Sequence, residues 1–240
     1  MTREHVIPKW LRQELRTQGF VYERRGTGKA HKWDALAVVL PRVCHGCNHE
    51  LLGNMEGRTK PILGPLLHGG ARARPVLIDP GQQATLATWA VKTSLLLTIR
   101  SFEGEPAGWV PQDNLRWVHD HRGLDQPPPG AHVWMFGIDA ENELAAWSQA
   151  GCLRTGDGQP AAHVGTFTVG YVGFQVFCRK VSQPEFSADH EAWLAPGGLF
   201  RDRVLDIWPA TTTVRWPPSS IFGRDSLELV ASRLGANLKR

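Results

Sequence analysis

Residues 35–48 read Ala35-Leu36-Ala37-Val38-Val39-Leu40-Pro41-Arg42-Val43-Cys44-His45-Gly46-Cys47-Asn48, and this order of residue types decides the fold expected for the amino-terminal part. Ala35 to Leu40 is a compact apolar run that suits a buried strand. Pro41 then leads into a turn with two cysteines at Cys-x-x-Cys spacing, where two thiolates make half of a tetrahedral zinc site. Beyond Asn48, residues Leu51, Leu52, Met55 and Glu56 continue at helical spacing. Gly53 and Gly57 weaken that helix by roughly 1 kcal/mol each relative to alanine. Pro61 is expected to start a second helical stretch ending near His68.

Working outward, the chain begins with Glu4-His5-Val6-Ile7-Pro8-Lys9-Trp10-Leu11. Glu4 to Ile7 suits a short strand, after which Pro8 opens an amphipathic helix with Trp10, Leu11 and Leu15 on one face. Residues 19–34 are polar and contain glycine, as a loop or ragged hairpin would. Two strands that feed a helix give the order ββα.

The chemistry of these residues is specific. Cutting a phosphodiester takes a base that accepts a proton from water and a hard cation that holds the phosphate oxygens. An imidazole titrates near neutrality, so His5 suits the base. Glu4 and the amide carbonyl of Asn48 are oxygen donors of the kind Mg²⁺ prefers.

On these residues the sequence resembles the HNH endonuclease family, whose ββα-metal core joins an [Asp/Glu]-His-[Ile/Val]-x-Pro strand to a Cys-x-x-Cys-Asn turn and a helix. More narrowly, it looks like a group of bacterial HNH-like proteins that run from Glu-His-Val-x-Pro-x-Trp-Leu through Cys-x-x-Cys-Asn to a Glu-containing helix. Glu4 to Leu11 and Cys44 to Leu67 carry the resemblance. It implies that Glu4 and Asn48 hold the catalytic divalent cation, Mg²⁺ or another, that His5 is the general base, and that Cys44 and Cys47 bind a structural Zn²⁺. Proteins of this kind usually carry another Cys-x-x-Cys just before the Glu-His element, and here that element lies four residues from Met1. Two expectations follow: either the true start lies further upstream, or the zinc site has lost half its ligands, with His31, His45 and His49 left as the residues that could complete a tetrahedron.

Charge points the same way. Residues 1–74 hold 13 Lys/Arg against 6 Asp/Glu, a net of +7, and the rest hold 14 against 17, a net of −3. The basic end is thus the end with the candidate site, and DNA is the expected partner through counterion release. Arg3, Lys9, Arg12 and Arg42 are the expected phosphate contacts; a solvated basic face is the plain alternative.

With 240 residues, 42% hydrophobic and 21% charged, the chain can bury one large core or two small ones. It lacks the apolar run of about eighteen residues that a membrane helix needs, and its first residues are not signal-like, so a cytoplasmic protein with no membrane partner is expected. Four cysteines make no disulfide framework in a chain of this length, and Cys152 and Cys178 are expected to be buried thiols.

The expected class is α+β, with an HNH-like ββα-metal module over 1–70 and a domain over 76–240 made of a helix and a mainly β portion. Between them, Gly69 to Pro75 reads as a linker. Asp79-Pro80-Gly81-Gln82 has the pattern of a capping box, opening a helix from about Pro80 to Ile99. The stripe of Leu86, Trp89, Ala90, Thr93, Leu96 and Leu97 assigns this helix, with Trp89 and Lys92, to packing. Pro111 to Val118 suits a short helix, and Gln126 to Gly130 a stiff proline turn. Strands are expected at His132–Ile138, at Arg203–Trp208, and over His163–Phe177, where glycines 165, 170 and 173 allow a hairpin or a bulged strand. Ser226 to Leu238 has helical periodicity.

Other motifs carry less. Gly26-Thr27-Gly28-Lys29 lacks the upstream glycine and the following Ser or Thr of a phosphate loop. His119-Asp120-His121 reads as a polar surface loop, Asp189-His190-Glu191 is weaker still, and the ten tryptophans are scattered as packing residues are. Two further functions fit this sequence. One is a non-catalytic, zinc-supported nucleic-acid-binding protein, and the other an interaction protein whose β-rich domain does the recognition.

Overall fold

The computed structural model describes residues 2–15, 22–23, 32–33, 39–43, 53–68, 74–101, 112–121, 123–139, 146–182, 184 and 202–223. Strand β1 (Thr2–His5) is followed by helix α1 (Lys9–Leu15), the short strands β2 (Tyr22–Glu23) and β3 (Lys32–Trp33), and strand β4 (Val39–Val43). Helix α2 (Gly53–Leu63) then runs into a 3₁₀ turn at Gly64–Leu66. After strand β5 (Val76–Ile78) come the long helix α3 (Pro80–Ser101) and helix α4 (Gln112–Asp120). Strands β6 (Ala131–Asp139), β7 (Ala146–Arg154), β8 (Pro160–Val169), β9 (Val172–Arg179), β10 (Val204–Trp208), β11 (Val214–Trp216) and β12 (Phe222–Gly223) complete an α+β architecture.

The main sheet has the order β10-β6-β9-β8-β7, every neighbouring pair antiparallel. β10 and β12 share one edge of β6: β10 pairs along Val133–Phe136, and β12 runs parallel to the end of the strand at Ile138 and Asp139. The tip of the β8–β9 hairpin needs glycine. Gly170 has φ +56°, and a Cβ there would lie 2.9 Å from the Leu67 carbonyl oxygen and 2.8 Å from Leu15 Cδ2. The hairpin tip therefore sits directly beneath α1 and the 3₁₀ turn.

Helix α3 is the axis of the fold. Every residue from Thr85 to Leu96 is buried, so the helix is enclosed on all faces there instead of presenting a single stripe. Its Trp89 meets Phe167 and Phe174 of the sheet edge-on, at centroid separations of 5.8 and 5.6 Å. Ile7, Leu11, Met55 and Leu63 belong to the same apolar cluster as Leu86, Trp89, Phe167 and Val176, so α1 and α2 share a core with the sheet. Among the described residues, no helix is long and apolar enough to cross a membrane.

The start of α3 follows the local rule read from its sequence. Asp79 Oδ1 accepts from the Gln82 amide at 2.9 Å, and Gln82 Oε1 accepts from the Asp79 amide at 3.1 Å. Each side chain satisfies one amide that the first turn leaves free. Asp79→Ala is expected to cost about 1 kcal/mol. In a thermal melt that is a drop of about 2–4 °C, and an unchanged melting temperature would show that the cap is energetically idle.

Two prolines behave differently from the sequence reading. Strand β4 continues through Pro41, because Thr2 pairs with Val43 and Glu4 with Leu40, which leaves Arg3 facing both Pro41 and Arg42. The missing N–H of Pro41 thus falls at a bulge, where a ladder hydrogen bond is interrupted anyway. Pro61 lies inside α2 rather than at the head of a new helix. The carbonyl its ring would crowd belongs to Gly57, which has no Cβ and is exposed.

Candidate functional site

Glu4 and His5 occupy the last two positions of β1, and their Cα partners on β4 are Leu40 and Val39. Directly after His5 the chain turns inward. Val6, Ile7 and Pro8 are buried, and Leu11 lies one turn into α1. Val6 packs with Leu96, beside Leu97, Ile99 and Leu115, while Ile7 and Leu11 enter the main core. The half-buried His5 is therefore held at the rim of a fixed strand, one residue from its anchor.

Strand β4 ends at Val43, opposite Thr2, so the chain leaves toward Cys44 from beside the start of β1. It resumes as α2 at Gly53. Cys44, Cys47 and Asn48 lie outside the described residues, as do Gly26 to Lys29 and Asp189 to Glu191. Of the basic residues expected at phosphates, Arg3 lies on β1 and Arg42 on β4, both within the irregular part of their pairing, and Lys9 is exposed at the head of α1 with Arg12 a turn later in the helix.

Helix α2 is held at three places. Met55 and Leu63 are buried in the main cluster. Arg58 grips Asp125 with two nitrogens, Nη2 at 2.8 Å from Oδ1 and Nε at 3.0 Å from Oδ2, and Thr85 of α3 donates to the same carboxylate at 2.9 Å. In the first turn, Glu56 Oε1 lies 3.8 Å from Lys92 Nζ. Burial pushes the Glu56 carboxyl above its usual range, and the Lys92 ammonium opposes that shift.

Neither the Lys92–Glu56 pair nor the Arg58–Asp125 grip was identified from the sequence. A signal existed for the first: Lys92 is the only charged residue between Asp79 and Arg100. A lone charge in a helix with a strong apolar stripe invites a search for its partner. Asp125 gave no such signal, since it is one carboxylate in a polar turn.

A second chemistry-bearing cluster lies between α3 and β8. Ser94 Oγ is 2.7 Å from His163 Nε2, and Thr98 Oγ1 is 3.2 Å from Nδ1. The Thr98 hydroxyl donates to the Ser94 carbonyl at 2.9 Å, so it can only accept from the ring, which puts the proton on Nδ1 and leaves Nε2 to accept from Ser94. The pairing of hydroxyl and imidazole is that of a nucleophile and its base. Yet His163 and Thr98 are fully buried and Ser94 is 2% exposed, so no substrate reaches it. Gly165 makes room for it, because a Cβ there would come within 2.0 Å of Ser94 Oγ.

This buried ring has a consequence for stability. Desolvation pushes the His163 pKa down to about 3, against about 6.5 for an unfolded histidine. The unfolded chain therefore takes up the proton first. The contribution is complete above about pH 6.5 and is lost as the pH falls toward 3, at about 1.4 kcal/mol per unit, or roughly 2–3 kcal/mol by pH 4.5. Glu56 and Asp206, raised by burial, act in the opposite sense, since their folded forms protonate first. Urea unfolding at pH 7 and 4.5 should thus show a smaller loss in His163→Gln than in wild type. Parallel losses would refute the assignment.

His119-Asp120-His121 is not the loop expected from the sequence: His119 and Asp120 form the end of α4 and pair at 2.9 Å, while His121, just after it, stacks on Trp117 at 3.6 Å with its Nδ1 donating to the Trp117 carbonyl at 3.0 Å. Cys178 is buried, with the Asn114 amide donating to its sulfur at 3.0 Å, and burial pushes the thiol up to about 12. Cys152 is half-buried. Among the described residues no group of three or more His, Cys, Asp or Glu side chains is arranged to hold a metal ion.

Comparison with known protein families, curated proteins and solved structures gives no match to this chain.

Proposed function

We propose that the chain is a metal-dependent endonuclease of the HNH type that hydrolyses DNA phosphodiester bonds. The observation that carries this reading is the order β1, β4, α2. The Glu4-His5 strand pairs antiparallel with the strand that runs into Cys44-His45-Gly46-Cys47-Asn48, and a helix follows. Helix α1 and the short strands β2 and β3 separate the two paired strands in the chain, and it is the pairing of β1 with β4, with α2 next among the described elements, that supports the reading.

The donor set fits two kinds of cation. Glu4 and Asn48 offer hard oxygens suited to Mg²⁺ or a related ion, and Cys44 and Cys47 offer thiolates suited to Zn²⁺. Glu4 and Asn48 are the residues that would hold a divalent ion, which would supply positive charge to the scissile phosphate and the leaving oxygen. His5 takes the proton from the attacking water, and its place at the end of a strand anchored by Val6 and Ile7 keeps the ring oriented while it does so. Arg3, Lys9, Arg12 and Arg42 draw the phosphate backbone to this face by counterion release.

Supercoiled plasmid incubated with Mg²⁺ or Mn²⁺ tests the reading. Nicking by the wild-type chain that weakens as salt is raised is the expected result. Salt-sensitive DNA binding with no nicking in either metal would instead support the zinc-supported binder, and no binding at low salt the interaction protein.

A further inference from the structure

One of the three grips on α2 can open without stranding a buried group. Arg58 holds Asp125 through Nε and Nη2, the two-nitrogen fork that a guanidinium offers equally to a carboxylate and to a phosphate. The side chains of Arg58 and Asp125 are 37% and 18% exposed, so each has water within reach when the pair parts. Thr85 has its own fallback. Its one hydroxyl proton is shared between Asp125 Oδ2 at 2.9 Å and the Gly81 carbonyl at 3.2 Å, one turn back in α3. When Asp125 leaves, Thr85 keeps an acceptor inside its own helix.

The closed state also holds Asp125 away from the backbone geometry it prefers. Its φ of +46° lies in the left-handed region, which a residue with a side chain adopts at a cost, Asp less than most. Such a geometry persists where surrounding contacts over-determine it, and here the contacts are Arg58 and Thr85. Opening the pair lets the backbone relax.

Charge indicates what competes for the fork. Arg58 belongs to the segment 1–74, with a net charge of +7, and Asp125 to the remainder, with a net of −3. A phosphodiester presents one negative charge spread over two oxygens, as a carboxylate does. The carboxylate is thus an internal stand-in for the group that a basic segment attracts.

We propose that Arg58 is a phosphate-binding fork that Asp125 occupies until DNA displaces it, so that the loop bearing Asp125 competes with the substrate. The choice of DNA as ligand rests on the endonuclease reading, while the opening of the pair does not depend on cleavage.

The test is a double-variant cycle read by binding of duplex DNA. Asp125→Asn keeps the shape of the side chain and its tolerance of the left-handed region, and removes the charge the fork holds. It should bind DNA about 3–10-fold tighter, because the fork is open at all times. Removing any carboxylate favours a polyanion, so Asp120→Asn, at the exposed end of α4, is the charge control; in about 0.15 M salt it should gain less than about twofold. In an Arg58→Met background, Asp125→Asn should gain no more than that control, since no fork remains to be freed. Hydrogen exchange of the wild-type chain gives a second readout. Amides of residues 123–126 should exchange faster when DNA is bound, the reverse of the slowing at a simple contact surface.

Equal gains in Asp125→Asn and Asp120→Asn, or a gain that survives in Arg58→Met, would overturn the proposal. Should Asp125→Asn fail to fold, the wild-type exchange experiment decides it, with faster exchange on DNA binding supporting the fork and slowed or unchanged exchange refuting it. Tighter binding by Asp125→Asn without nicking in any form counts against the nuclease reading alone, and nicking without that gain counts against the fork alone. No DNA binding by any form overturns both.

Discussion

Alanine at position 5 is expected to lower the rate of metal-dependent plasmid nicking about 10²–10⁴-fold, the usual range for loss of a general base. The fold should survive. His5 is half-buried at the end of β1, while the anchors of that strand are its neighbours Val6 and Ile7. DNA affinity should also survive, because it comes from lysines and arginines whose charge the substitution leaves in place. The informative pattern is therefore a loss of kcat with unchanged melting temperature and unchanged salt dependence of binding. Equal cleavage by His5→Ala and wild type would remove His5 from the mechanism, whatever else cuts.

Much of the scaffold was legible because its signals are local. The capping box at Asp79 and Gln82 needs only four consecutive residues, and both of its hydrogen bonds form. The hairpin at Gly170 was legible as one of two possibilities, since a glycine between two β-branched runs suits either a turn or a bulge. Its resolution needed a non-local fact, the Leu67 carbonyl lying where a side chain would go. Strand β7 was not legible at all. Ala146-Trp147-Ser148-Gln149-Ala150-Gly151-Cys152-Leu153 has neither alternation nor a strong β-branched run, and its pairing with β8 is decided by the partner strand. Three-residue strands such as β5 and β11 likewise exist through each other.

The site divides in the same way. That Glu4 and His5 lie on a strand followed from the residues around them, and β1 pairs with the strand leading to the cysteine turn. Periodicity, however, treats a buried position as apolar and cannot say that Lys92, Ser94 and Thr98 leave α3 in different directions toward α2 and β8. Charge supplies the missing clue for Lys92, and nothing in the sequence supplies it for His163. A histidine at an inward position of a strand is read equally well as a packed ring or as a functional one until its partners are known.

The largest stability effect is expected at Trp89. Replacing it with alanine should cost about 3–5 kcal/mol, a large share of the roughly 5–15 kcal/mol that holds a typical domain folded. The side chain is fully buried and its ring packs edge-on against two phenylalanines that are themselves stacked at 5.3 Å, so truncation opens a cavity where α3 meets the sheet. Collapse around it is opposed from all sides, because α3 is buried throughout that stretch. The indole also carries a cost that a phenyl ring does not: its Nε1 is buried without a hydrogen-bond partner among the described residues. Leaving such a donor unsatisfied costs about 1–3 kcal/mol. Trp89→Phe therefore sheds a penalty while giving up part of the apolar surface, and should lose no more than about 1.5 kcal/mol. Guanidinium unfolding of the two variants measures both numbers. A loss in Trp89→Phe as large as that in Trp89→Ala would mean that the indole nitrogen is hydrogen-bonded, and a loss below about 1 kcal/mol in Trp89→Ala would mean that α3 does not anchor the sheet through this ring.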